Sequence, residues 1–321
     1  MSHTQRPLLG IGLAMVSLLL FVMLDVTTKH LSTRFPVPLL VWARYTVHLL
    51  LMLVMLGPAL RSRLFLTRRP GMHLVRGLLL LATSLCGVAA FQRMPLAEAT
   101  AIIFASPVIV VLLARPLLGE RIGALRWLAV MLGFAGVLLV ARPGSGLVPE
   151  GIAFALAAAV VYALYQILTR KMSSTESPVT LLFHTALIGS ALTTAALPWM
   201  NHGPEPALPD YLAMAAMGML AGCGHFLLTR AFREAPASLL SPLLYVQLLW
   251  ATLFGWLVFG QLPDRIALGG MLVIGVAGAL IAIDSRRLAR AATIQYRVGS
   301  NSFDLDTPKH RHAGDHKSAV E

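Results

Sequence analysis

The sequence predicts an all-α integral membrane protein with ten transmembrane helices, built as two inverted five-helix repeats. Hydrophobic residues make up 57% of the 321 residues and charged residues only 12%, against roughly 25% charged in ordinary soluble domains. The mean hydropathy is +0.75. Ten apolar segments are long enough to cross a bilayer, and the second half of the chain repeats features of the first at a constant spacing.

The ten segments each contain about 20 apolar residues, which is the length of helix that crosses a hydrocarbon core of roughly 30 Å. The breaks between them are short and most contain proline, glycine or charge, so consecutive helices must be antiparallel. The predicted helices are residues 8–31, 37–57, 71–92, 97–117, 123–141, 151–171, 179–200, 210–230, 237–258 and 266–284.

The distribution of Lys and Arg predicts the orientation, because these residues accumulate on the cytoplasmic side. A cytoplasmic N-terminus places 20 of the 26 Lys and Arg inside and 4 outside. We therefore expect a multi-pass protein of the inner (cytoplasmic) membrane with both termini cytoplasmic. Topology explains the net charge of +12, so nucleic acid is not an expected partner.

The polar tail, residues 285–321, is predicted to be cytoplasmic and disordered because it has few apolar residues. It contains Lys309-His310-Arg311-His312 and then His316. Histidine is a common metal ligand, so a metal-binding tail is the alternative to a simply solvated one.

An internal repeat appears when the chain is shifted by 141 residues. Gly10-Ile11 then falls on Gly151-Ile152, and the segment 90–95 falls on 231–236. Each unit, 8–141 and 151–284, holds five helices, so the second enters the membrane upside down. Inverted repeats are typical of secondary transporters, in which the solute lies between the halves. Duplication in a purely structural assembly is the alternative.

Two stretches resemble the EamA family of the drug/metabolite transporter superfamily. They are Pro95-Leu96-Ala97-Glu98-Ala99-Thr100-Ala101-Ile102-Ile103-Phe104-Ala105-Ser106-Pro107, followed by Leu118-Gly119-Glu120-Arg121, and the second copy at 241–248 and 259–261. The resemblance covers roughly residues 8–284. It implies ten helices, a central cavity and transport of amino acids, nucleobases, vitamins or related metabolites, more often exported than imported.

The second copy departs from the family pattern at two places. Gln261 stands where the family often keeps a Glu matching Glu120, and Gln247-Leu248 stands where it often has Glu-Pro. A mechanism that needs symmetric carboxylates is therefore in doubt.

Charged residues within the helices are candidate functional groups, because a charge in a bilayer costs several kcal/mol without a partner or a role. Asp25 on helix one and Arg44 on helix two fall at similar depth. We predict an ion pair between them, shared with Lys29. It either fixes the two helices or binds solute or a proton.

Two further residues of the first half have alternative roles. His48 lies one turn from Arg44 near mid-membrane, where it is either a buried structural histidine or part of a proton-coupled step. Glu98 lies at the start of helix four, where the helix dipole favours a carboxylate. It either stabilises that helix end or acts at a gate or proton site.

The second half supplies polar and aromatic candidates. Gln166 occupies the position equivalent to Asp25, and we predict that it forms a polar cluster with His184 and His225 at the inner end of the cavity. The predicted aromatic walls are Tyr162, Tyr165 and Tyr245. The pattern Gly218-x-x-x-Gly222 predicts close helix contact.

Enzyme motifs are not found in the sequence. It has no G-x-x-x-x-G-K-[ST], H-E-x-x-H or G-x-S-x-G stretch, and no Cys/His cluster at zinc spacing within the membrane part. No cofactor or metal is therefore expected, and the chain is not predicted to be an enzyme. An intramembrane enzyme using Asp25 and His48, or a structural membrane protein, are the alternatives of another class.

The expected function is a secondary transporter, in particular an exporter, that works by alternating access. Arg44 and Asp25 suit the charged ends of a small amphipathic or zwitterionic metabolite, such as an amino-acid-like compound or an opine metallophore. The alternative is uptake of a riboflavin-like vitamin or a nucleobase. The expected partners are the solute, the lipid bilayer and protons. The oligomeric state, including a homodimer, stays open.

Overall fold

The computed structural model describes residues 7–60, 66–67, 69–118, 123–142, 146–172, 175–200, 203–234, 240, 243, 245–280 and 283–284. The predicted tail, 285–321, lies outside these residues. The helices, numbered in chain order, are α1 Pro7–Leu31, α2 Val37–Leu60, α3 Pro70–Arg93, α4 Leu96–Ile103, α5 Ser106–Leu118, α6 Ala124–Val140, α7 Pro149–Met172, α8 Pro178–Ala196, α9 Leu208–Glu234, α10 Val246–Phe259 and α11 Arg265–Leu280.

Helix is the only regular secondary structure in the described residues, as the composition predicts. Seven apolar segments there are long enough to cross a membrane, and three shorter apolar helices, α10, α11 and most of α6, accompany them. The predicted helix 97–117 is interrupted at Phe104–Ala105, so α4 and α5 follow one another within a single span. Within the predicted helix 237–258, the continuous described helix α10 begins at Val246.

The helix ends follow the 141-residue offset. The last residues of α1, α3 and α5 are Leu31, Arg93 and Leu118, and 141 positions later stand Met172, Glu234 and Phe259, the last residues of α7, α9 and α10. The first residues of α2 and α6 are related in the same way to those of α8 and α11. Within the described residues, α1, α2, α3, α5 and α6 therefore each have a counterpart at this offset, in the same order.

Helix packing crosses between the halves. Helix α1 packs against α9, and α3 packs against α7, and the offset converts the first of these pairs into the second. The contacts of α1 with α10 and of α7 with α5 are related in the same way, whereas α2 with α8 joins two helices that are themselves related by the offset. The core is thus formed by both halves together.

Contacts between loops define two ends of the bundle. At the Arg34 end, Arg34 pairs with Asp210 at 3.0 Å and Arg142 pairs with Asp264 at 2.6 Å. At the Glu176 end, Thr67 Oγ1 donates to Glu176 at 2.8 Å. Each of these contacts joins loops that the charge distribution assigns to the same side of the membrane.

Asp264 begins α11 as its N-terminal cap. Its Oδ1 accepts hydrogen bonds from the main-chain amides of Ile266 at 3.0 Å and Ala267 at 2.8 Å, which would otherwise lack partners at a helix start. The Ala267 amide and then the Arg142 side chain hold the pKa of Asp264 below its ordinary value. The interaction is therefore present at neutral pH and is lost as the pH falls through that lowered pKa.

Candidate functional site

Arg44, on α2, lies among polar side chains from several helices. It interacts electrostatically with Asp25 on α1, Tyr162 on α7, His225 on α9 and His48 on its own helix. Asp25, Arg44, Tyr162 and His225 are each partly accessible. Side chains of this kind, inside a bundle of apolar helices, can line a space for a polar ligand.

The predicted ion pair of Asp25 with Arg44 and Lys29 is not formed. The ion pairs within the described part of the chain do not include one between Asp25 and Arg44. Asp25 Oδ2 instead accepts a hydrogen bond of 3.4 Å from Gln247 Nε2. Arg44 therefore retains donors that a solute can use.

Lys29 binds the C-terminal end of α3 and forms no hydrogen bond or ion pair with Asp25 among the described residues. Its Nζ donates to the main-chain oxygens of Phe91 and Met94, both at 2.7 Å. A cation is favoured at this position because the last carbonyls of a helix carry partial negative charge. The prediction missed this role because depth along a helix does not indicate which neighbour a side chain faces.

Glu98 lies in the first turn of α4 and is 6% exposed. Its carboxylate accepts a hydrogen bond from its own main-chain amide and interacts with the Lys29 charge, which agrees with stabilisation of a helix start. Its Oε2 is buried without a hydrogen-bond partner. Both predicted roles, helix stabilisation and a gate or proton site, therefore remain compatible with its surroundings.

Gln166 and the two histidines of the predicted inner cluster have separate partners in the structure. Gln166 Nε2 donates to Ser106 Oγ on α5 at 3.3 Å. His184 lies against the ring of His73, with 4.3 Å between ring centroids, and His225 lies against His48 and Phe21. The cluster prediction was wrong because helix rotation separates residues that share a depth.

His48 and His225 form a stacked pair, with ring centroids 6.0 Å apart and planes inclined by 11°. His48 also lines a cavity of about 330 Å³ between α2, α8 and α9. The other lining residues are mostly apolar, including Met52, Met55 and Phe226. His48 therefore lies between this apolar cavity and the polar residues around Arg44.

Arg76, one of the 20 Lys and Arg counted on the cytoplasmic side, is buried in α3 with 2% exposure. Its guanidinium donates to Thr169 Oγ1 at 2.8 Å, to the Leu181 carbonyl oxygen at 2.7 Å, and to Thr185 Oγ1 and the Tyr165 hydroxyl. All four acceptors are neutral and belong to α7 or α8. Arg76 therefore joins the first half to the second without a carboxylate among these partners.

The three predicted aromatic residues occupy two places. Tyr162 and Tyr165 stack with their ring centroids 5.7 Å apart and their planes inclined by 13°. Tyr245 lies at the start of α10, where its ring meets that of Phe104 at 6.0 Å. Tyr162 interacts electrostatically with Arg44, whereas the Tyr165 hydroxyl accepts a hydrogen bond from Arg76.

Comparison with known proteins places the chain in a family. The model of the EamA-like transporter family matches residues 8–142 and 149–283. The chain belongs to this family, so the resemblance inferred from the sequence is confirmed. It is a membrane transporter of the drug/metabolite transporter superfamily, and its family members named below are transporters rather than enzymes.

Curated relatives share about a quarter of the residues over most of their length. The S-adenosylmethionine uptake transporter of Rickettsia bellii is 28% identical over 290 residues, 89% of this chain and 97% of the relative. The riboflavin transporter of Vibrio cholerae is 26% identical over 85% of this chain and 93% of its own. The pseudopaline exporter of Pseudomonas aeruginosa is 27% identical over 84% and 94%. One of these relatives is named as an uptake transporter and another as an exporter.

One solved crystal structure has a similar fold. It superposes with a TM-score of 0.63 and 20% sequence identity, covering 87% of this chain and 98% of its own. At this identity the likeness concerns the fold alone. It supports the helical architecture described above.

Proposed function

We propose that this chain exports small amphipathic or zwitterionic metabolites, such as amino-acid-like compounds or opine metallophores, by alternating access. In this proposal ten helices cross the inner membrane as two inverted repeats, 8–141 and 151–284, with both termini in the cytoplasm. The recurrence of helix ends and packing pairs at the 141-residue offset supports the repeats, and inverted repeats are typical of alternating-access carriers.

The observation that carries the proposed solute class is the position of Arg44 near Asp25 without an ion pair between them. A guanidinium can bind a carboxylate through two parallel hydrogen bonds, and a carboxylate can accept from an ammonium group. A zwitterionic solute would satisfy both side chains at once. Asp25 is also the group at which a proton could be exchanged for the cationic end of the solute.

A riboflavin-like vitamin or a nucleobase is the second candidate solute. The stacked rings of Tyr162 and Tyr165 favour it, because a planar heterocycle gains most from a parallel aromatic face. The relatives include a riboflavin transporter. Transport direction would then be inward, and Arg44 would contribute hydrogen bonds rather than a paired charge.

Solute flux into proteoliposomes containing the purified protein tests the proposal. Pools of labelled amino acids, opine-type compounds, vitamins and nucleobases are offered with and without a pH gradient. We expect saturable flux of a zwitterionic pool, reduced at least about tenfold by Arg44→Ala, which corresponds to a loss of about 1.4 kcal/mol of interaction with the solute.

The matched control is Arg93→Ala, because Arg93 is an exposed arginine at the end of α3. It contacts the carbonyl oxygen of Ala89 and the ring of Phe154, neither of which belongs to the group around Arg44. This variant is expected to transport like the unaltered protein. Equal flux through the Arg44→Ala and Arg93→Ala variants would remove Arg44 from the solute site. Flux of vitamins or nucleobases alone would favour the second candidate.

A further inference from the structure

Two polar contacts between the halves are related by the 141-residue offset. Gln247 Nε2 on α10 donates to Asp25 Oδ2 on α1 at 3.4 Å, and Gln166 Nε2 on α7 donates to Ser106 Oγ on α5 at 3.3 Å. Position 166 is 141 residues after position 25, and position 247 is 141 residues after position 106. Position 25 is therefore in contact with the counterpart of position 106, and the counterpart of position 25 is in contact with position 106.

The two contacts lie toward opposite ends of the bundle. Asp25 is six residues before the end of α1, which leads to the Arg34 end, and Gln166 is six residues before the end of α7, which leads to the Glu176 end. At 1.5 Å per residue each lies about 9 Å from its own helix end. Arg44 interacts with Asp25 on α1 and with Tyr162 on α7, the two helices that carry these contacts.

Both contacts are long for hydrogen bonds, whose usual donor–acceptor distance is about 2.9 Å. Other polar contacts between the halves are shorter. Ser17 Oγ donates to the Gly224 carbonyl oxygen at 2.7 Å between α1 and α9, and Arg76 Nε donates to Thr169 at 2.8 Å between α3 and α7. Short contacts thus join α1 to α9, and α3 to both α7 and α8, whereas the two long ones join α1 to α10 and α7 to α5.

Asp25 belongs to α1, which packs against α9, and Gln166 belongs to α7, which packs against α3. The α1–α9 pair and the α3–α7 pair each combine one helix from either half. Between them lie α2 and α8, which are equivalent under the offset and are joined by Thr46 and Ser190 at 3.0 Å. Because alternating access opens one end of a carrier while it closes the other, a movement that shortens one long contact lengthens the other.

We propose that Asp25–Gln247 and Gln166–Ser106 are the reciprocal gate contacts of this transporter, the first closing the Arg34 end and the second closing the Glu176 end. The proposal rests on alternating access as proposed above.

The two gates are chemically unequal. A carboxylate accepts from Gln247 at the Arg34 end, whereas a neutral hydroxyl accepts from Gln166 at the other end. A hydrogen bond to an ionised group is roughly twice as strong as one between neutral groups. The protein without solute therefore favours closure of the Arg34 end while Asp25 is ionised, and protonation or a cationic solute group at Asp25 weakens that preference.

Cysteine accessibility tests the gates without any solute. Tyr162→Cys provides the reporter in a Cys86→Ala/Cys223→Ala background, which removes the two native cysteines. A membrane-impermeant maleimide is applied to oriented vesicles from either side, and the ratio of the two labelling rates is measured. Tyr162 is suitable because it lies within the polar group around Arg44.

Gln247→Ala removes the first contact and Ser106→Ala removes the second, while Asp25 and Gln166 remain in place. We expect the ratio of labelling from the Arg34 end to labelling from the Glu176 end to rise about 2- to 10-fold in the first variant and to fall in the second. That range follows from one hydrogen bond of ordinary net strength. The double variant is expected to return toward the starting ratio.

Thr46→Ala is the matched control, because it removes a contact between the halves that joins offset-related helices and should favour neither end. Gln247→Met and Ser106→Val serve as second variants if either alanine variant fails to fold. Shifts in the same direction, or no shift in folded variants, would overturn the gate assignment. Opposite shifts without flux of any pool would support the gates and count against the proposed solutes only.

Discussion

Replacing Tyr165 by phenylalanine and Thr185 by valine together is expected to destabilise the protein strongly. Both changes nearly preserve side-chain shape but remove two of the acceptors of the buried Arg76 guanidinium. A buried donor left without a partner costs about 1–3 kcal/mol, and more when it is charged. The apparent Tm of the purified double variant in detergent should therefore fall by several degrees.

Adding Arg76→Met to the double variant is expected to restore part of this loss, because it removes the cation that lost its partners. Breaking a buried charged contact on one side is more harmful than replacing both sides by apolar groups. Thr193→Val is the matched control, since Thr193 is a buried threonine on α8 that bonds only to carbonyl oxygens of its own helix. A loss that Arg76→Met leaves unchanged would mean that packing, and not the charge, is responsible.

Gly218→Ala is expected to separate α2 from α9 and to lower the stability by about 1–3 kcal/mol, the usual range for overpacking a closely packed contact. A Cβ at Gly218 would run into the Cβ of Val47 and lie 3.0 Å from the main-chain nitrogen of His48. Neither atom can move without moving α2. Thermal unfolding of the variant in detergent measures the effect.

Gly275→Ala is the control for this substitution, because a Cβ at Gly275 meets nothing within 4 Å. Alanine is favoured over glycine in a helix by about 0.5–1 kcal/mol, so this variant should be as stable as the unaltered protein or slightly more so. If the two variants unfolded at the same temperature, the close contact of α9 with α2 would not limit stability.

The positions at which most described helices begin and end were largely predictable from the sequence. Proline and charge end apolar segments for local reasons, and Pro178 and Arg265 begin α8 and α11 close to the expected positions. The interruption at Phe104–Ala105 was not predicted, although Pro107 gave a signal, because proline has no N–H to donate to the preceding turn. Because the segment 97–117 is apolar on average, it was predicted as one continuous helix.

The side-chain partners were less predictable, because they depend on the rotation of each helix about its axis. Depth along the helices grouped Asp25 with Arg44, which interact electrostatically in the structure. It also grouped His184 with His225, whose ring partners differ. Arg76 was missed because it was counted with the charges of the cytoplasmic side, although the predicted helix 71–92 contains it. The helix start at Pro70 places it six residues, about 9 Å, inside α3.

The contact of Phe104 with Tyr245 has a consequence for how such a chain could arise. These residues are related by the offset, and they touch each other across the halves. In a protein made of two separate copies of one five-helix chain, residue 104 would meet its own counterpart, and any mutation there would change both sides of the contact together. Fusion into one chain lets the two rings differ, here by a single hydroxyl group.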